Sequence, residues 1–210
     1  MKSLIPLSLI IMLCLSTDSR SQIRGYGIKI GAVSASQTWN YTFIPDFPTT
    51  NRWGIDVGAY VEWLDMSIIS LCTELHFTER GVSEKAIETT PEYPEGTGNI
   101  FSISGEIDYL SLPVLLKARY NIASSEVYVL MGPRIDLKLG SREGFDMVYS
   151  HFRHVTYGPT LGAGILLQNI LPHHKLGLEY RFSSSIGSEY STPLLEVTSK
   201  SMEFLLTLDL

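Results

Sequence analysis

Between Trp53 and Trp63 the sequence alternates, almost without exception, between apolar residues and polar or small ones. One face of this stretch carries six apolar side chains with a tryptophan at each end, and the other face carries glycines, Asp56, Tyr60 and Glu62. A strand has this pattern when one of its faces contacts lipid and both of its ends lie at a membrane–water interface. The pattern therefore predicts a membrane-spanning β-strand.

Seven further stretches alternate in a similar way, which gives eight predicted strands. They span residues 25–36, 53–63, 67–78, 108–120, 126–139, 157–168, 176–183 and 201–209. Because strands of about this length can cross a bilayer when tilted, we predict an all-β fold, an eight-stranded antiparallel up-and-down transmembrane β-barrel. Pro113, Pro133 and Pro159 interrupt three strands. Since proline cannot donate to a ladder, we expect bulges or strand ends there.

The predicted connections alternate in length. Residues 64–66, 121–125 and 169–174 form short links, whereas residues 37–52, 79–107, 140–156 and 187–200 form long ones. Outer-membrane barrels have short periplasmic turns and long extracellular loops. The even strand number then places both mature termini in the periplasm. The second long loop, which holds Glu84, Glu88, Glu92 and Glu95, is expected to be a mobile acidic segment.

The chain begins with Met1 and Lys2, followed by an apolar stretch over residues 4–15 and polar or small residues up to Ser21. Because secretory signal peptides have this layout, we expect residues 1–21 to be a signal peptide and residues 22–210 to form the barrel domain. The expected location is the outer membrane, with its lipid as the first partner. A net charge of −6 offers no basic footprint for nucleic acid.

The polar faces of the strands collect charged residues of both signs. The predicted lumen network consists of Lys29, Asp56, Glu62, Glu74, Lys117, Arg119, Arg134, Asp136, Lys138, Glu179, Arg181 and Glu203, with Asp209 on the last strand. An eight-stranded barrel is only wide enough for side chains to fill its interior, so we expect these charges to pair across the lumen. The alternative is a proton or ion path, although unpaired buried charges are costly.

The first long loop is more aromatic than solvation requires, because it contains Trp39, Tyr41 and Phe43. Part of this content is expected to belong to an interfacial aromatic belt. The alternative is a patch that contacts a ligand.

The third long loop places His151 and His154 near Asp146 and Ser150, the residue types of a hydrolase triad. Neither a G-x-S-x-G nor an H-E-x-x-H pattern accompanies them. A polar surface loop is therefore the preferred interpretation. We expect no catalytic residue, no cofactor and no metal.

Two neighbouring segments resemble a known family. Tyr109-Leu-Ser-Leu-Pro-Val-Leu-Leu-Lys117, followed by Val127-Tyr-Val-Leu-Met-Gly-Pro133, is similar to the PorT-like outer-membrane β-barrel domain of Bacteroidetes-type bacteria. Gly27-Ile-Lys-Ile-Gly-Ala32 and Leu176-Gly-Leu-Glu-Tyr-Arg181 resemble its first and seventh strands. The resemblance implies an outer-membrane location and explains a proline at position 113. It does not imply one activity, since PorT itself is linked to protein secretion and fold analogy alone supplies no function.

The main hypothesis is a non-enzymatic, monomeric barrel with a filled lumen. Its role would be structural, or carried by the extracellular loops as a binding or secretion accessory with a protein partner. One alternative is a soluble exported barrel that binds a small apolar ligand, as a lipocalin does, with its apolar faces inward. Another is a membrane-embedded enzyme that uses loop residues such as His151.

Overall fold

Alternating side chains place the two faces of each strand on opposite sides of one sheet. The computed structural model describes residues 23–43, 49–87, 98, 100–142, 146–172 and 174–210. The strands are β1 (Ile23–Tyr41), β2 (Thr50–Met66), β3 (Ile69–Ile87), β4 (Ile100–Ile122), β5 (Ser125–Arg142), β6 (Val155–Leu171), β7 (His174–Ser184), β8 (Tyr190–Ser191) and β9 (Leu195–Asp209). One helical turn, α1 (Asp146–Tyr149), precedes β6. Among the described residues, no helix has the length and hydrophobicity needed to cross a bilayer.

Each long strand pairs with its neighbours in the sequence, and β1 also pairs with β9, so that the sheet closes on itself. The closed ring contains β1 to β7 and β9, and β8 adds two residues beside β9. All of these pairings are antiparallel. The prediction of an eight-stranded up-and-down barrel is therefore confirmed.

The apolar faces of the strands point outward and the charged faces point inward. On β2, Trp53 is 61% exposed, whereas Asp56 and Glu62 are buried. Trp53 stacks on Phe204 of β9 at the outer surface, with 6.2 Å between the ring centroids. This orientation suits lipid outside and polar groups inside. It argues against the lipocalin-like alternative, which requires the opposite orientation.

The strands continue beyond the predicted ones at one end of the barrel. We call this the loop end, where residues 42–49, 88–99, 143–154 and 185–194 connect the strands; the opposite end is the turn end. β3 and β4 pair as far as Ile87 and Ile100, so the predicted loop over residues 79–107 was wrong for its outer parts. Backbone pairing continues there, although the outward side chains no longer form the apolar face that identified the other strands. Of the acidic residues, Glu84 lies on β3, while residues 88, 92 and 95 lie outside the described residues.

The prolines do not cause bulges. The β4–β5 ladder omits Val114 and Leu115, which lie opposite Gly132 and Pro133, and then resumes in the same register. The β3–β4 ladder has a similar gap opposite Pro113, also without a register shift. The bulges predicted at these two prolines were wrong, because a missing N–H removes rungs from a ladder without inserting a residue. Position 159 lies just beyond the last β6–β7 pair, at the end of that pairing.

Candidate functional site: the charged lumen and its cap

The inward charges form three layers along the barrel axis, and each layer joins distant parts of the chain. Most sit at alternate positions on their strands, which places them on the lumen face. The turn-side layer contains Arg24, Glu62, Lys117, Arg119 and Glu126, the middle layer contains Lys29, Asp56, Glu74, His76, Glu179 and Arg181, and the loop-side layer contains Arg80, Arg134, Asp136 and Glu203.

The middle layer is built around Arg181, which is only 1% exposed. Its Nη1 lies 2.6 Å from Glu74 Oε2, and its Nε donates to Glu179. Lys29 bridges the same two carboxylates, with its Nζ 2.9 Å from an oxygen of each. Tyr128 donates its hydroxyl to Glu179 at 2.6 Å. Two cations and a phenol thus surround two carboxylates that have no access to solvent.

His76 lies between two carboxylates in the same layer. Its Nδ1 is 2.5 Å from Asp56 Oδ1, and its Nε2 is 2.8 Å from Glu74 Oε2. Thr78 donates its hydroxyl to the other Asp56 oxygen at 2.6 Å. The ring lies flat against Gly58, where a Cβ would come within 2.5 Å of the imidazole Cγ. A larger residue at position 58 would therefore displace the ring from its partners.

The turn-side layer is centred on Glu62. Arg119 Nη1 lies 2.7 Å and Lys117 Nζ lies 3.0 Å from its carboxylate, which Arg24 also contacts. Glu126 Oε1 lies 3.2 Å from the Nζ of the same lysine, and Glu126 Oε2 accepts from Arg24 at 2.9 Å. This layer therefore links β1, β2, β4 and β5 at the turn end.

The loop-side layer is centred on Asp136. Arg80 Nη1 lies 2.8 Å and Arg134 Nε lies 2.9 Å from Asp136 Oδ2, and Ser111 donates to the other oxygen at 2.5 Å. Glu203 takes part through a longer contact of 3.4 Å with Arg134 Nη1. This layer links β3, β4, β5 and β9.

Apolar side chains fill the lumen between the turn-side and middle layers. The cluster consists of Tyr60, Cys72, Leu115, Tyr128, Leu130 and Leu166, which explains why three leucines lie on otherwise polar faces. The cavity lined by five of these residues, all but Leu115, and by the neighbouring charges has a volume of about 10 Å³, which is no more than one water molecule requires. The lumen is therefore packed with side chains along this part of its length.

An apolar cap closes the loop end. It consists of Trp39, Val82, Ile107, Tyr109, Tyr149, Phe152, Leu195 and Val197. The hydroxyl of Tyr149 and the indole N–H of Trp39 both donate to Gln37 Oε1, at 3.0 and 3.2 Å. The third loop is thus partly an inward plug, and its interpretation as a polar surface loop was wrong for Tyr149 and Phe152. Their apolar rings are buried once the loop folds over the lumen.

The first-loop aromatic residues are separated by the structure. Trp39 and Tyr41 lie on β1 rather than in a loop; Trp39 is buried in the cap and Tyr41 packs against it. Only Phe43 remains at the surface, with 82% of its area exposed. The expectation of one contact patch is corrected in this respect, because β1 pairs with β9 as far as Tyr41 and carries Trp39 inward.

A buried carboxyl lies beside the cap. Glu189 accepts a hydrogen bond from the Ser199 hydroxyl at 2.6 Å, and the Tyr109 hydroxyl lies 3.4 Å from the same oxygen. Burial raises the pKa of the Glu189 carboxyl above its ordinary value, against the opposing effects of the Ser199 hydrogen bond and of Arg80. Burial therefore makes this carboxyl harder to ionise than an exposed glutamate.

The structure places every predicted member of the lumen network except Lys138 and Asp209 in one of the three layers. Lys138 is half-buried, and its Nζ donates to the backbone carbonyl of Tyr149, which corrects its assignment. Asp209 lies at the turn-end mouth, 3.2 Å from Lys175 Nζ.

Sequence reasoning did not place Arg24, Arg80 or Glu126 in the network. Arg80 continues the inward alternation of β3 but fell within a predicted loop, and Glu126 shares the inward parity of β5. The signal was present for both residues. Arg24 follows no such parity, because the register of β1 shifts between Ile23 and Gly25.

The loop-end histidines are exposed. Ser150 Oγ lies 3.1 Å from His151 Nδ1, and both residues face solvent, as does His154. The side chain of the third candidate triad residue, at position 146, is not among those that the structure describes. This arrangement brings a serine and a histidine together without burying either of them.

One group of three carboxylates has the spacing of a metal site. Glu79, Glu106 and Asp108 lie on the outer surface of β3 and β4. Arg142 Nη2 reaches all three, at 3.9, 3.1 and 2.8 Å respectively. A guanidinium therefore supplies the positive charge that this group requires.

Residues 21–191 match the family model described as "Outer membrane protein beta-barrel domain". A comparison with curated proteins finds no significant match. Among solved structures, the outer membrane protein OprG from Pseudomonas aeruginosa aligns with a TM-score of 0.51 and 9% identity over 91% of this chain and 97% of that one. The outer membrane protease OmpT from Escherichia coli gives 0.47 and 9% over 92% and 98%. Ail of Yersinia pestis, solved with the heparin analogue sucrose octasulfate, gives 0.41 and 15% over 88% and 97%. At these identities the likeness concerns the fold alone.

Proposed function

Because this chain belongs to the outer membrane protein beta-barrel domain family, we propose that it is a non-enzymatic, monomeric barrel that does not conduct. Its role would then be structural, or carried by its loop end as a binding or secretion accessory. The observation that carries this proposal is the filled lumen, in which three ion-paired layers, an apolar cluster and an apolar cap follow one another along the axis. In the part of the barrel that the structure describes, this packing leaves solutes no open route, and the surface that remains for a partner is the loop end.

Conductance tests the closed lumen. We expect the purified protein in planar lipid bilayers to give no steady ohmic steps above those of protein-free bilayers. A variant that opens only the cap, Tyr149→Ala with Phe152→Ala, is expected to stay silent as well, because the charged layers below remain in place. Steady ohmic conductance of the unmodified protein would overturn the proposal. Conductance of the cap variant alone would mean that the cap, and not the charged layers, closes the barrel.

The proposed orientation places the loop end outside the cell and both termini in the periplasm. Ser191→Cys at the loop end and Ser124→Cys at the turn end are matched variants, because both residues are exposed serines. Intact cells treated with a membrane-impermeant maleimide should label Ser191→Cys strongly and Ser124→Cys only after permeabilisation. Cys72 is buried and serves as the internal blank. The reverse labelling pattern would mean that the loop end faces the periplasm.

The export signal over residues 1–21 is part of the same proposal. It is supported by the basic start and the short apolar stretch. The mass of the protein recovered from outer membranes should correspond to a chain that begins at Gln22, and a mass that includes Met1 would contradict it.

The PorT-like assignment is the narrower proposal within the family. Its support is the segment from Tyr109 to Lys117 on β4 and the segment from Val127 to Pro133 on β5. These segments lie on paired strands and meet at the Leu116–Met131 and Lys117–Leu130 pairs. A secretion accessory would present its loop end to a protein partner, and Phe43, with 82% of its area exposed, is a described loop-end side chain that is open to such a contact. Phe43→Ser should then abolish a secretion phenotype without changing the amount of barrel in the membrane. An unchanged phenotype would exclude this contact.

The absence of enzymatic activity is proposed from the exposure of Ser150 and His151, since activated nucleophiles sit in sites that exclude water. A fluorophosphonate probe, which reacts with activated serines, is expected to leave the protein unlabelled. A covalent adduct at Ser150 would revive the enzymatic alternative.

A further inference from the structure

The three charged layers of the lumen differ in their charge balance. The turn-side layer has three cations, Arg24, Lys117 and Arg119, against two carboxylates. The loop-side layer has two arginines against two carboxylates. The middle layer has two permanent cations, Lys29 and Arg181, against the three carboxylates of Asp56, Glu74 and Glu179. With a neutral His76, the middle layer would carry one uncompensated negative charge in the barrel interior. Such a charge is costly when it is buried without a partner.

The geometry around His76 supplies the missing charge. Both ring nitrogens face carboxylate oxygens, Asp56 at 2.5 Å and Glu74 at 2.8 Å. An imidazolium donates from both nitrogens, whereas a neutral imidazole has one N–H and leaves the other nitrogen to face an oxygen lone pair. That second contact is favourable only if the facing carboxyl itself carries a proton. Either arrangement needs one proton beyond those of a neutral histidine and two carboxylates.

We propose that the middle layer is a proton-binding site, in which Asp56, His76 and Glu74 hold one exchangeable proton that makes this layer charge-neutral. The ligand class is the proton itself, held between three side chains that the barrel brings together from β2 and β3. Because the three groups lie in direct contact, the proton belongs to the cluster, and its removal is a property of the cluster as a whole.

The groups next to the cluster leave no other compensation for this charge within the middle layer. The titratable or charged groups facing the cluster are Lys29 from β1, Tyr60 from β2, Cys72 from β3, Tyr128 from β5 and Glu179 and Arg181 from β7. The lysine and the arginine are already engaged by Glu74 and Glu179, and Tyr128 donates to Glu179. The proton that compensates the third carboxylate is therefore held by the cluster of Asp56, His76 and Glu74.

This site couples pH to the stability of the barrel. An unperturbed histidine loses its proton near pH 6.5. At higher pH the unfolded chain has released a proton that the folded barrel still holds, so stability falls as pH rises. One linked proton corresponds to a tenfold fall in the folding equilibrium constant per pH unit while this difference lasts. Below that range both states carry the proton and the dependence disappears.

Equilibrium unfolding by urea in lipid vesicles, between pH 6 and pH 10, tests the proposal with three variants. His76→Gln leaves the layer with an extra negative charge and should unfold at lower urea at every pH. Asp56→Asn makes the layer neutral without the extra proton and should flatten the pH dependence. The double variant, His76→Gln with Asp56→Asn, is again neutral and should be more stable than His76→Gln alone. His151→Gln, an exposed loop histidine, is the control and should behave as the unmodified protein.

The rescue separates charge balance from simple loss of packing. A double variant that is no more stable than His76→Gln would overturn the proposal, as would an unmodified barrel without a pH-dependent transition. If the single variant does not fold, NMR of the unmodified barrel decides. We expect the ring-nitrogen shifts of His76 at pH 8 to show an imidazolium, or a neutral ring beside a protonated carboxyl. A neutral ring between two ionised carboxylates would overturn the proposal.

Discussion

Arg181→Met is expected to destabilise the barrel by about 3–5 kcal/mol, the cost of removing one partner from a buried ion pair. Methionine has a similar length but leaves Glu74 and Glu179 with Lys29 as their only shared cation. The layer would then bury additional negative charge at a position that water does not reach. Urea unfolding in lipid vesicles, followed by tryptophan fluorescence, should show this as a large decrease in the midpoint or as failure to fold.

Arg153→Met provides the matched control for this change. Arg153 is exposed at the loop end, and its backbone N–H donates to the carbonyl of Glu189. Loss of its side chain should leave the midpoint unchanged within error, since exposed charges contribute little to stability. Equal midpoints for the two variants would mean that the middle layer is hydrated and that its ion pairs are weak.

Val57→Arg is expected to cost about 2–4 kcal/mol, the penalty for a cation on the lipid face of a barrel near the bilayer midplane. Val57 lies on the outer face of β2, between Trp53 and Trp63, which mark the two ends of the apolar stretch. The arginine cannot reach the lumen from this face because side chains on a strand alternate. Urea unfolding in vesicles measures the penalty directly.

Thr38→Arg carries the same substituent on the outer face of β1, beyond the apolar belt. Thr38 is exposed and pairs with Thr198 in the polar part of the β1–β9 ladder. Because the penalty falls to about 0–1 kcal/mol near the interfaces, this variant should fold almost as well as the unmodified protein. Equal penalties at the two positions would show that the apolar belt does not face lipid.

Most of the fold could be predicted from the alternation of apolar and polar side chains along the strands. On β2 and β7, a period of two assigned every residue between Trp53 and Trp63 and between Leu176 and Ser183 to its correct face. Alternation is a local property, since it follows from the geometry of a single strand, and it persists here because lipid on one side and charge on the other select against exceptions. The inward position of Arg181 and Asp56 could therefore be predicted without any knowledge of their partners.

The ends of the strands could not be predicted in this way. β3 and β4 continue to Ile87 and Ile100 through a region whose outward residues include Glu79, Glu106 and Asp108, so the apolar outer face that identified the other strands is missing there. The apolar cap could not be predicted either, because no regular pattern marks its residues in the sequence. Tyr149 and Phe152 lie in a polar-looking loop, and their burial depends on where that loop closes over the barrel.

The sequence by itself determined which residues enter the lumen and that their charges nearly balance. Only the tertiary structure decided which charges meet, because partners such as Lys29 and Glu179 are brought together by closure of the ring and by the register of every strand between them. A shift of one residue in any ladder would reverse the faces of a strand and change every pair. The placement of His76 between two carboxylates, and the single proton that this placement requires, is therefore a property of the closed barrel that no single strand contains.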